Sequence, residues 1–356
     1  MRSPLPKPLH RLCGRPMLLH VLDALAELPI ERVVVVVGYR SSEVTKVLES
    51  EAPPELRLEF VEQADPRGTG DAAAVGLTGF PAGADLEDGD LVVLPGDAPL
   101  LRPATVAALV RAHRQQDAAA TLLTARVEDP SGYGRIVRAK DGGVSRIVEH
   151  LDATAAELEI DEVSTSIYCF RHSVLAPALR RLAPSNAKGE IYLTDSIAVL
   201  DDAGYRVVTL LADDPTEAAG VNDRAQLAAA AGVLRERINE RWMRRGVTMT
   251  DPATTYVDSS VQLGEDVTLL PGVVLEGQTT IGGGAFVGPG TRLVDCEIGA
   301  GVRIEQTTGH HAVVGRDSVV GPYSVLEPGC RLAPGSSTGP FFRSSTTDLT
   351  TLEGRQ

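Results

Sequence analysis

The chain has 356 residues, 43% of them apolar and 23% charged, an ordinary globular composition with room for two domains that each have a core. Its formal net charge of −14 comes with no Lys/Arg run dense enough to follow a phosphate backbone, which argues against a nucleic-acid partner. The sequence nowhere approaches the roughly 18 consecutive apolar residues of a membrane span, and the first residues lack the layout of a signal peptide, so a cytosolic protein off the membrane is expected. An anionic ligand must then meet a local basic cluster, for which Arg2, Lys7, Arg11 and Arg15 are the candidates.

In chain order, Leu18, Val21, Leu22, Leu25 and Leu28 fall at helical spacing. The run Val33–Val37, bounded by Gly38, reads as a strand buried on both faces, as in a parallel sheet covered by helices. Residues 56–61 are strand-like and lead into Gln63-Ala64-Asp65-Pro66-Arg67-Gly68-Thr69-Gly70, a Gly/Pro loop ahead of a helix at 71–77. The amide of Gln63 can donate and accept toward a pyrimidine edge, and the glycines let backbone approach a base. A second apolar run at 91–94 ends in Pro95-Gly96-Asp97, which puts a carboxylate directly after a buried strand, where α/β sheets bind their ligands. A helix at 103–114 follows, then Gly132-Tyr133-Gly134-Arg135-Ile136-Val137, Ile147-Val148-Glu149-His150, the apolar run Val207–Leu211 and Gly220-Val221-Asn222. This alternation predicts an α/β domain with a Rossmann-like sheet over residues 1–224.

Residues 225–249, rich in Ala, Leu, Glu and Arg, read as a helical arm. Beyond it the period changes. Val257, Leu263, Leu269, Leu275, Ile281, Val287 and Leu293 recur every sixth residue, and Val314, Val320, Leu326 and Leu332 form a second register. Such hexads predict a left-handed parallel β-helix over residues 250–343, each hexad forming one face of a triangular coil, with a tail at 344–356. Cys13, Cys169, Cys296 and Cys330 are scattered without a CxxC and are expected to be free thiols. His310 and His311 are neighbours whose side chains point opposite ways on an extended segment, which makes a poor chelate.

These blocks, with Met1-Arg2-Ser3-Pro4-Leu5-Pro6-Lys7-Pro8-Leu9-His10 and Gly14-Arg15-Pro16-Met17-Leu18, resemble the bacterial bifunctional enzymes that uridylylate N-acetylglucosamine 1-phosphate and acetylate glucosamine 1-phosphate. The resemblance runs to residue 343. It implies UTP and a sugar 1-phosphate as substrates, Mg2+ held by Asp97 and Asn222, Lys7 on the phosphates, Gln63, Gly68 and Thr69 on uracil, and Gly134 and Glu149 on the sugar. It implies a homotrimer as well. In that family the first block follows a buried strand and a loop of the form LAAGxGTRM, so the gene is expected to encode such a segment upstream of Met1. A missing strand of five apolar residues would forfeit on the order of 10 kcal/mol of burial, against a typical domain stability of roughly 5–15 kcal/mol.

The chain departs from the family pattern at three places. Asp71 stands where the family has His, and Ser164 replaces the Asn that contacts the sugar, keeping a hydroxyl but losing the amide's reach. N-acetylglucosamine 1-phosphate is then the leading acceptor, with a related hexose or aminohexose 1-phosphate open. Glu327, in Leu326-Glu327-Pro328-Gly329, stands where the acetyltransferase site has a phosphate-binding Arg, and a carboxylate there repels a phosphate. The β-helix is therefore expected to be shortened and to have lost acetyltransferase chemistry. Two other readings stay open: a degenerate paralogue serving as an oligomeric scaffold or regulatory subunit, and a nucleotidyltransferase for another base or sugar.

Overall fold

A computed structural model describes residues 1–80, 89–184 and 186–344. The chain divides into two compact units, one of residues 1–10 and 16–226, the other of residues 11–15 and 227–356.

In the first unit the elements are α1 (Met17–Ala26), β3 (Val33–Val37), α2 (Ser41–Glu51), β4 (Leu58–Glu62), α3 (Thr69–Leu77), β5 (Asp90–Val93), α4 (Pro103–Gln115) and β6 (Ala120–Arg126), preceded by a small hairpin of β1 (Arg11–Leu12) and β2 (Arg15–Pro16). They continue with β7 (Arg135–Arg138), β8 (Val144–Val148), α5 (Ala155–Leu158), β9 (Glu162–Arg171), α6 (His172–Leu179), α7 (Asp195–Asp202) and β10 (Val207–Leu211). The six-stranded sheet has the order β10-β6-β9-β7-β8, with β5 against β9. The strand β9 runs antiparallel to β5, β6 and β7, whereas β10 is parallel to β6, so the sheet is mixed.

The valine run forms the strand β3, paired in parallel with β4 as a separate two-stranded sheet. It differs from the expected doubly buried strand in one respect: Val33, Val34, Val35 and Val36 are only half-buried. The cause lies at its second edge, where no described strand pairs with it, and β5 likewise has β9 as its single neighbour. Both strands line one cavity of about 1890 Å3, whose other walls include Leu18, Val21 and Leu22 of α1, Ala72 and Gly76 of α3, and Val106 of α4. The β3 and β5 edges that no described strand pairs thus border one cavity among apolar helix faces.

The second unit opens with the hairpin tip, where Ser259 N–H donates to the Cys13 carbonyl at 3.0 Å. The helix α8 (Arg224–Arg244) leads into it, and strands begin at Thr248–Met249. Three five-stranded, wholly parallel sheets follow, the left-handed parallel β-helix that the hexads predict. Leu269, Leu275, Val287, Leu293, Ile304 and Leu326 are fully buried in its stack, each contributing about 1.5–3 kcal/mol of burial. The two registers are joined by inward positions at Ile298, Ile304 and Gly309, which pair with Ile281, Val287 and Leu293. Three five-residue steps, at 293–298, 304–309 and 309–314, shift the period there. A glycine takes an inward place at 309 because a Cβ would stand 2.9 Å from Leu293 Cδ2 and 3.3 Å from Cys296 Sγ. His310 closes that strand and His311 turns with a φ of 45°.

Candidate functional site

The residues nominated from sequence converge in the first unit. The short 3-10 turn Lys7–Leu9 aims the Lys7 ammonium at two oxygens. It donates to Asp97 Oδ2 in a close ion pair and to Asn222 Oδ1 at 2.7 Å. Asp97 follows β5, and its carbonyl accepts from Val221 N–H at 2.9 Å, which locks the two loops together. Two oxygens already converging on one cation are a donor set suited to a hard divalent ion. Of the basic cluster, Arg11 and Arg15 belong to the second unit, where their hairpin is bonded through Cys13 to Ser259.

The loop before α3 is held by backbone. Gly68 has a φ of 116°, and a Cβ there would collide with the Ile191 carbonyl, so glycine is required. Ile191 N–H donates to Arg67 O at 2.8 Å, and Gly70 N–H donates to Ile191 O at 2.8 Å. Thr69 Oγ1 accepts from Leu193 N–H at 3.0 Å, a fixing role within the loop. Gln63 Nε2 donates to Asp71 Oδ2 at 2.7 Å, so Asp71 engages the amide donor and Oε1 is left as the acceptor.

On the opposite wall Glu149 Oε1 accepts from the Thr194 hydroxyl at 3.0 Å. Burial, and less strongly the charge of Asp195, hold the Glu149 carboxyl above the usual glutamate range against that hydrogen bond. Gly134 O accepts from Ser164 N–H at 2.8 Å. Ser164 itself is buried, its hydroxyl is shared with Tyr168 at 3.1 Å, and it does not line the cavity. The register of β6 against β9 shifts just there, and Ser166 takes a φ of 61°. Ser166 and Tyr168 line the cavity instead, with Lys188 and Tyr192. Neither Ser166 nor Tyr168 stood among the expected contacts; the register shift and the positive φ of Ser166 break the two-residue alternation that would put both on the face of Ser164. Tyr133, beside Asp97, is also held protonated, by burial and then by the Asp97 charge.

The comparisons bear on this geometry. The profile of the MobA-like NTP transferase domain matches residues 1–194. Bifunctional protein GlmU of Thermobifida fusca is 46% identical over 315 residues, 88% of this chain and 64% of that protein. That of Mycolicibacterium vanbaalenii is 46% identical over 325 residues, 89% and 64%, and that of Desulfitobacterium hafniense (strain DCB-2) 43% over 315 residues, 88% and 67%. The chain belongs to the GlmU family. It spans about two thirds of the length of these GlmU relatives. Among the described residues no helix is long and apolar enough to cross a membrane.

Glu149 generates a pH prediction. Its folded pKa is raised by burial, so the proton is favoured in the native state, and the carboxylate is a penalty that appears as pH rises through the folded pKa. Glu149→Gln, which keeps an acceptor for Thr194, should raise the melting temperature at pH 7, and the gain should vanish near and below the ordinary glutamate pKa of about 4.3. Thermal melts from pH 4 to pH 8 check this; a gain that persists unchanged at pH 4 contradicts the assignment.

Proposed function

We propose that the chain is a sugar-1-phosphate uridylyltransferase that transfers uridylyl from UTP to N-acetylglucosamine 1-phosphate or a related sugar 1-phosphate. The observation that carries this reading is the meeting of Lys7, Asp97 and Asn222 in the unit whose cavity is also lined by Gln63 and Glu149. A phosphate oxygen of the acceptor attacks the α-phosphorus of UTP, forming one O–P bond. The bond to the bridging oxygen breaks and its electrons leave with pyrophosphate, so no covalent enzyme intermediate is needed. Asp97 and Asn222 would hold Mg2+, which when bound offsets charge on the phosphates. Lys7 neutralises phosphate oxygens as charge shifts to the leaving group. Gln63 Oε1 accepts from the imide N–H of uracil, since Asp71 occupies the amide's donor. Glu149, with Lys188 and Tyr192 nearby on the cavity wall, faces the sugar.

Loss of acetyltransferase chemistry is part of the proposal. Glu327 is paired with Arg343 at 2.8 Å across successive coils, so a phosphate there meets a carboxylate and a cation already engaged. A cytoplasmic trimer is the assembly this reading implies, and the exposed stacked pair Tyr323 and Phe341 on the β-helix suits burial against another copy. The second reading, a non-catalytic scaffold, draws on Ser164, whose hydroxyl is committed to Tyr168.

Magnesium-dependent pyrophosphate release from UTP and N-acetylglucosamine 1-phosphate tests the proposal. Asp97→Ala should lower it at least about a hundredfold; an unchanged rate excludes Asp97 as the metal-holding residue, and no release from the unaltered chain favours the scaffold. In a parallel assay with acetyl-CoA and glucosamine 1-phosphate, thiol release should not exceed the enzyme-free control. Release above it overturns the loss of acetyl transfer.

A further inference from the structure

At the other end of β5 from Asp97 lies a cluster that uridylyl transfer does not use. Asp90 opens β5, His113 sits in the last turn of α4 and Cys169 lies in β9. One donor atom from each falls within 4.8 Å of the others. His113 Nε2 is 3.5 Å from Asp90 Oδ1. In a tetrahedral zinc site, bond lengths of about 2.0–2.3 Å put neighbouring donors roughly 3.3–3.6 Å apart, so small side-chain adjustments suffice to close the cluster on an ion.

We propose that Asp90, His113 and Cys169 form a divalent transition-metal site that takes Zn2+, separate from Asp97 and Asn222. The second coordination layer is already in place. His113 Nδ1 is bonded to Thr121 Oγ1 at 2.9 Å, a contact that would accept the Nδ1 proton when Nε2 binds an ion. That is how ligand imidazoles are oriented in zinc proteins. Arg114 Nε donates to Asp90 Oδ2 at 2.5 Å and leaves Oδ1 for the ion. Asp90 also lines the large cavity.

The donor set selects the metal. A thiolate with an imidazole prefers zinc or cobalt to magnesium, whereas Asp97 and Asn222 offer hard oxygens alone. Binding breaks the S–H bond, forms the S–Zn bond and releases that proton to solvent. The thiolate and Asp90 balance the two charges of the ion, and Arg114, Arg171 and Asp117 are the other charged groups around His113. A bound ion would tie β5, α4 and β9 together where β5 has a single strand neighbour among the described residues.

Cobalt titration of the reduced, chelator-treated full chain tests the site. One equivalent of Co2+ should produce a thiolate-to-cobalt charge-transfer band, removed by Zn2+ and unaffected by excess Mg2+. Cys169→Ala should abolish the band, Cys13→Ala should keep it, and Asp90→Asn should weaken binding at least tenfold. Cobalt binding without the band, a band that survives Cys169→Ala, or Asp90→Asn with unaltered affinity overturns the proposal.

Discussion

The ammonium of Lys7, held between Asp97 and Asn222, is the contact on which the arrangement of the nucleotidyltransferase unit turns. It joins three pieces of chain that are remote in sequence: the Pro-rich start, the loop after β5 and the Gly220-Val221-Asn222 turn. Each piece is placed by backbone constraint. The Lys7–Leu9 turn has Pro8 within it, and the other two loops are bonded through Val221 N–H to Asp97 O. The cation is thereby fixed in place on a protein whose net charge is −14.

How much could be read in advance depended on whether the signal was local. The strand β3 is legible because five consecutive valines favour extended structure whatever surrounds them. Its half-burial is not legible, because that depends on which strand lies beside it, and the β3 and β5 edges both face a cavity. The hexads of the β-helix are visible in the periodicity until Leu293. Beyond it three short steps and an inward glycine break the count, although the parallel ladder continues through Ile298, Ile304 and Gly309.

The same division applies to the site. Lys7, Asn222, Gln63 and Glu149 carry motif signals and line the cavity, and Asp97, which carries one as well, is paired with Lys7. Ser164 carries one too, yet a register shift in β9 buries it and presents Ser166 and Tyr168. Arg11 and Arg15 are close to Lys7 in sequence but belong to the other compact unit. Asp90, His113 and Cys169 have no linear pattern at all; only the fold of β5, α4 and β9 brings them together.

In the proposed function Asp97 and Asn222 hold the metal, and Lys7, bonded to both, is the cation they share in its absence. Mn2+ titration followed by water proton relaxation, without nucleotide, on the unaltered chain and on Lys7→Met tests it most directly. Removing the ammonium frees the carboxylate, so Lys7→Met should bind Mn2+ several-fold more tightly. Weaker or unchanged Mn2+ binding in Lys7→Met would contradict the account.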